Sequence, residues 1–140
     1  MRAVQFLTEN KHGNSKEDFV EMFSKFLPLA MHYLQLDTLP KMQFISHIED
    51  VEQPTFGMYV NGERTLHVAL TNRHPNDILR TVAHELTHYK QDTLHELNHN
   101  SGTTGSPEEN QANQMAGIIM RHFNKKYPEY LNSKPITPDS

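Results

Sequence analysis

The dipeptide Asn61-Gly62 stands between two short runs rich in β-branched and aromatic residues, Thr55 to Val60 and Arg64 to Leu70. Asn-Gly takes the backbone angles of a tight turn at little cost, so two strand-forming runs on either side of it predict an antiparallel hairpin. Lys41 to Ile48 alternates Met42, Phe44 and Ser46 against Gln43, Ile45 and His47, a period of two that suits a strand better than a helix. The chain is therefore expected to carry a three-stranded sheet.

Helical spacing takes over on both sides of this sheet. From Ser15, a suitable N-cap, the residues Phe19, Phe23, Phe26, Leu27, Ala30 and Leu34 recur on one face, with Pro28 expected to kink or restart the helix. Pro75, Asn76 and Asp77 start a second helix, with Ile78, Leu79, Val82, Ala83 and Leu86 on its buried side. Ser106-Pro107-Glu108-Glu109 combines a cap, a proline at the first helical position and an acid three residues on. Ala112, Met115, Ala116, Ile119, Met120 and Phe123 then keep helical spacing to about Asn124. The fold class expected is α+β, a small sheet packed on an N-terminal helix, a central helix and a C-terminal helix. Residues 1–14 read as an arm, 15–130 as a single domain, and the polar, proline-containing stretch 131–140 as a flexible tail.

Composition narrows the chemistry. The chain of 140 residues has a formal net charge of −4, which gives no electrostatic footprint for nucleic acid, so none is expected as a partner. No apolar run approaches the roughly twenty residues that cross a bilayer, and the amino terminus lacks the apolar core of a secretory signal. No membrane association and a cytoplasmic or intracellular setting are expected. The absence of cysteine removes disulfides and thiolate sites, leaving His, Asp and Glu as the ligands for any metal.

The segment Thr81 to Gly102 contains His-Glu-x-x-His twice, at His84 to His88 and at His95 to His99. On a helix the two histidines of such a motif face the same way, and a glutamate after the first cannot reach the metal they hold but can reach a water on it. The first copy follows the apolar run ILRTVA, which anchors its helix in the core, as a metal site requires. The second follows KQDT and ends three residues before a glycine, so it reads as a solvated helix end. A catalytic zinc needs a third protein ligand and an open position. The glycine and third histidine of a metzincin are replaced here by Gln91 and Leu94. A glutamate on the following helix suits the first copy, where Glu108 and Glu109 are available; Glu109 shares a face with Ala112, Asn113 and Ala116, while Glu108 leans away.

His84-Glu85-Leu86-Thr87-His88 with Glu109-Asn110-Gln111-Ala112-Asn113 resembles the gluzincin metallopeptidases, particularly the small minigluzincins and the SprT-like and ImmA-like proteases. The approach ALTNRHPNDILRTVAHELTH is similar to theirs, and the resemblance covers roughly Phe56 to Phe123. It implies a zincin-like domain with zinc on His84, His88 and Glu109, Glu85 as general base, and Asn113, in place of the family's frequent Asp, holding a ligand histidine. Lys90 departs from the apolar residue usual at that position. The resemblance further implies a Tyr or His that stabilises the tetrahedral intermediate, for which Tyr59, Tyr89 and His67 are candidates. It also implies a peptide or protein substrate lying antiparallel to an edge strand, expected to be Thr65 to Leu70. The leading expectation is a zinc-dependent peptidase. The alternatives are a zinc-binding interaction module of the same fold without proteolytic activity and an amidase acting on cell-wall peptide.

Overall fold

The computed structural model describes residues 15–46, 56–94 and 105–136. Over these residues the protein is an α+β unit of three long helices and one three-stranded mixed sheet. Helix α1 spans Ser15–Leu34, strand β1 Lys41–Ile45, strand β2 Gly57–Val60, strand β3 Thr65–Ala69, helix α2 Pro75–Thr93 and helix α3 Pro107–Lys126; a 3-10 turn, Pro128–Asn132, follows.

Helix α1 runs through Pro28 as one element instead of restarting there. The apolar stripe explains its persistence. Phe19, Met22, Phe26 and Ala30 are fully buried, and each large side chain so removed from water contributes roughly 1.5–3 kcal/mol, enough together to offset one missing backbone bond. Phe19 and Phe23 both meet Phe44 of β1 edge-on at 5.5 Å, and Phe26 meets Phe123 of α3 at 6.2 Å, so the stripe joins the sheet to the last helix.

The hairpin forms, with Val60 opposite Thr65 and Gly57 opposite Val68. Its loop is four residues long, and the positive φ falls on Arg64 (49°), not on Gly62, because pairing resumes at Thr65 and not at Glu63, where a two-residue Asn-Gly turn would need it. β1 pairs with β3 in parallel, giving the order β1-β3-β2. This overturns one expectation: Thr65 to Leu70 is not a sheet edge, since β3 has a partner on each side. Leu66 and Val68, both fully buried, are what pull it to the centre. Of the two edge strands, β1 and β2, the one packed against the central helix is β2.

Helix α2 lies at the middle, packed against α3, α1 and the β2–β3 hairpin. Pro75 occupies its first position, and the His74 ring accepts the Asn76 N–H as a cap at 2.9 Å. Ile78, Leu79, Val82, Ala83 and Leu86 are all fully buried. Helix α3 starts as its sequence predicts, with Ser106 accepting the Glu109 N–H at 3.1 Å. Within the stretch 131–136, Leu131, Asn132, Lys134 and Pro135 are exposed, and Ile136 packs onto the domain. Ile136 is buried at 3% exposure and bonds Arg73 and Asn72 through its backbone, an apolar side chain outweighing its polar neighbours. Among the described residues no helix is long and apolar enough to cross a membrane. The arm 1–14, the end of the first expected strand and the second His-Glu-x-x-His copy lie outside the described residues.

Candidate metal centre

The buried face of α2 holds it rigidly, and the adjoining face carries His84, Glu85 and His88 towards α3 and β2. Four residues are slightly more than one helical turn, so the two imidazoles are neighbours along the helix, edge to face with ring centroids 5.0 Å apart. Glu109, in the first turn of α3, spans them: its Oε1 lies 2.9 Å from His84 Nε2 and its Oε2 3.0 Å from His88 Nε2. One ligand atom from each of the three residues lies within 4.8 Å of the others. A tetrahedral zinc at about 2.0–2.1 Å from each ligand needs them roughly 3.3 Å apart, close to these separations. Glu108 contributes only a backbone carbonyl, to Gln91.

The hydrogen bonds around His88 decide what the centre is suited to hold. Gln91 Nε2 donates to the Glu108 carbonyl at 2.9 Å and to Gln111 Oε1 at 2.7 Å, which turns Gln91 Oε1 towards His88 Nδ1, 2.8 Å away. An amide oxygen only accepts, so Nδ1 carries the hydrogen, and in the neutral ring Nε2 is a lone pair. That lone pair faces a carboxylate oxygen, which is also an acceptor. Two acceptors at 3.0 Å require a cation between or upon them, a proton or a metal, and Nε2 is presented in the tautomer that ligates a metal. The donor set therefore fits zinc. Gln91, at 1% exposure, is a residue the sequence reasoning passed over; its signal was the i, i+3 spacing from His88.

Burial lowers the pKa of His84, against the pull of the Glu109 carboxylate, so the ring is favoured as a neutral ligand. Asn113 lies within hydrogen-bonding reach of the same ring. Glu85 is 8% exposed; burial first, and repulsion from Glu109 second, push its carboxyl up to about 8, while the backbone N–H of Tyr59 opposes the rise. β2 thus touches the helix directly. A Cβ on Gly57 would stand 2.3 Å from Thr81 Cγ2 and 3.3 Å from the Glu85 carboxyl, so only glycine allows this approach.

The polar groups of the three tyrosine and histidine candidates are engaged or directed elsewhere, although the Tyr59 backbone touches Glu85. The Tyr59 hydroxyl donates to Asp92 at 2.5 Å, the Tyr89 hydroxyl pairs with Thr38 at 2.6 Å, and His67 projects from β3 away from the buried Leu66 and Val68. Lys90 reaches outward to the Gln35 carbonyl at 2.9 Å, which explains how a lysine is tolerated there. Beside the centre is a cleft of about 380 Å³ lined by Phe56, Gly57, Arg80, Thr81, His84, Glu85, Asn113 and Ala116. Arg73 wires its wall together: its guanidinium donates to the carbonyls of Ala69 (2.9 Å), Phe56 (3.3 Å) and Asp77 (3.2 Å) and to the Thr81 hydroxyl (2.6 Å). Compared with protein-family models, curated proteins and solved structures, the chain gives no match.

Proposed function

We propose that the protein is a zinc-dependent peptidase in which His84, His88 and Glu109 hold the metal and Glu85 is the general base. The observation that carries this reading is the convergence of the two Nε2 atoms on one carboxylate, at 2.9 and 3.0 Å, with the His88 tautomer fixed by Gln91. When bound, zinc supplies a Lewis acid and lowers the pKa of a coordinated water towards about 7.

The remaining work belongs to the chain's own groups. Glu85 Oε2 lies 4.0 Å from His84 Nε2, beside the ligand cluster without being part of it, so its carboxylate can take a proton from water and return it to a departing amine. A cation at the three ligands offsets the Glu109 charge that helps keep Glu85 protonated, which favours the basic form once the site is loaded. Asn113 and Gln91 orient His84 and His88. The cleft at Phe56, Gly57 and Arg80 gives an extended backbone a place to lie against the helix, and the sheet edge bordering it is β2 rather than β3. An intact base distinguishes this reading from a purely structural zinc site, which has no use for one.

The test is zinc content and peptide hydrolysis measured together on wild type, Glu85→Gln and Glu96→Gln. Wild type and both variants are expected to hold one zinc, with hydrolysis lost about 10²–10⁴-fold only in Glu85→Gln. Zinc bound without hydrolysis in wild type would leave an interaction module; loss of activity in Glu96→Gln alone would move the site to the second motif.

A further inference from the structure

Two arginines border the cleft, and one is committed. Arg73 is buried, with its two terminal nitrogens bonded to three carbonyls and the Thr81 hydroxyl. Arg80 differs. It is exposed, lines the cleft together with His84, Glu85 and Asn113, and among the described residues has no hydrogen bond or ion pair. It stands four residues before His84, one turn away along the same face of α2, about 6 Å of helix axis. A guanidinium with all five donors available, at one end of a cleft, matches a carboxylate in a planar two-point contact.

The rest of that end of the cleft agrees with an anionic peptide. Phe56 is 62% exposed, with its ring stacked 4.5 Å from the Arg73 guanidinium, so one aromatic face is held in place while the side chain stays open to a ligand. With a divalent cation on His84, His88 and Glu109, the formal charge of the cleft, Arg80 included, is net positive even with Glu85 ionised. A substrate carboxylate is attracted there, although the chain as a whole carries −4.

We infer that Arg80 determines substrate specificity by binding a carboxylate of the peptide, either its free C-terminus or an Asp or Glu side chain. The carboxylate lies within about two or three residues of the bond cut, since an extended chain advances about 3.3–3.6 Å per residue. This rests on the peptidase reading of the same cleft, and Phe56 supplies the apolar contact beside the carboxylate.

The experiment measures binding and turnover separately, using peptides built from alanine and phenylalanine that carry an uncharged fluorophore. One set has a free C-terminal carboxylate, a second is the same set amidated, and two further amidated sets carry one internal Asp or, in its place, Asn. Binding to the zinc-loaded protein is read by anisotropy in wild type, Arg80→Gln and Arg80→Lys, and KM and kcat are read on any peptide that is cut. Wild type should favour a carboxylate-bearing set over its neutral counterpart by about 10- to 100-fold in Kd or KM, with kcat changed little, as expected for a charge-assisted bidentate contact. Arg80→Gln should erase that preference without altering zinc content or thermal stability, and Arg80→Lys should restore part of it. Preference for the free-acid set identifies the C-terminus as the source, and preference for the Asp set identifies a side chain. Equal binding of charged and neutral sets by wild type, a preference that survives Arg80→Gln, or no binding of any set overturns the inference. Carboxylate-dependent binding with no hydrolysis leaves Arg80 standing and removes the peptidase reading instead.

Discussion

His88 and Gln91, three residues apart on α2, are joined by a 2.8 Å hydrogen bond that decides which ring nitrogen faces Glu109. Gln91 is itself held by the Glu108 carbonyl and the Gln111 side chain, so the start of α3 sets the tautomer of a histidine on α2. Such outer partners commonly contribute 10–100-fold to metal affinity. Gln91→Leu, similar in volume but unable to accept from Nδ1, should weaken zinc binding by about that factor in a chelator-competition titration, with secondary structure retained. Unchanged affinity would show that the His88 ring is held by packing alone.

The ligand assignment predicts a sharp contrast between neighbours on α3. His84→Ala, His88→Ala and Glu109→Ala should each reduce bound zinc greatly, measured by metal analysis after dialysis, whereas Glu108→Ala should retain it, since that side chain takes no part in the cluster. Retention by Glu109→Ala together with loss in Glu108→Ala would reverse the choice of ligand.

Gly57 offers a test of the contact between β2 and α2. Gly57→Ala drives a methyl to within 2.3 Å of Thr81 Cγ2, so either the strand shifts away from the helix or Thr81 rotates out of its bonds to Arg73 and Asp77; overpacking of this kind costs about 1–3 kcal/mol. Gly62→Ala in the hairpin loop meets nothing within 4 Å and should stay within about 0.5 kcal/mol of wild type. Urea denaturation of the two variants checks both values, and equal stability would mean that β2 does not press on the helix as described.

What the sequence disclosed follows the range of its signals. Elements with local causes were legible: the Pro75 and Ser106-Pro107 helix starts, the hairpin around Asn61-Gly62 and the Phe19 to Leu34 stripe all depend on residues within a few positions of one another. The geometry of Glu109 was legible too, because helical periodicity separates it from Glu108. The place of β3 in the sheet was not, since its parallel pairing with β1 depends on a long-range crossover that no local pattern records. Gln91 escaped notice because a glutamine on a helix resembles any solvated polar residue until Gln111 and the Glu108 carbonyl are seen around it. Arg73 likewise reads as a surface charge, and only the fold shows four acceptors closing on its guanidinium.

The buried carboxyl of Glu85 predicts how the metal-free protein responds to pH. In the unfolded chain this group titrates near 4.5, whereas in the folded protein burial and the Glu109 charge hold it up to about 8. Below pH 4.5 both states carry the proton and the group adds no pH dependence. Between 4.5 and 8 the folded state keeps a proton that the unfolded chain has lost, so stability falls as pH rises, until above 8 the full cost of a buried carboxylate is present. That cost is on the order of 5 kcal/mol. Glu85→Gln is neutral at every pH and escapes it. In the presence of a chelator, Glu85→Gln and wild type should therefore differ little in unfolding free energy near pH 4.5. The variant should gain steadily up to about pH 8 and be more stable by several kcal/mol beyond it. A difference that is flat across this range would mean that Glu85 is solvated in the metal-free protein and already ionised at neutral pH.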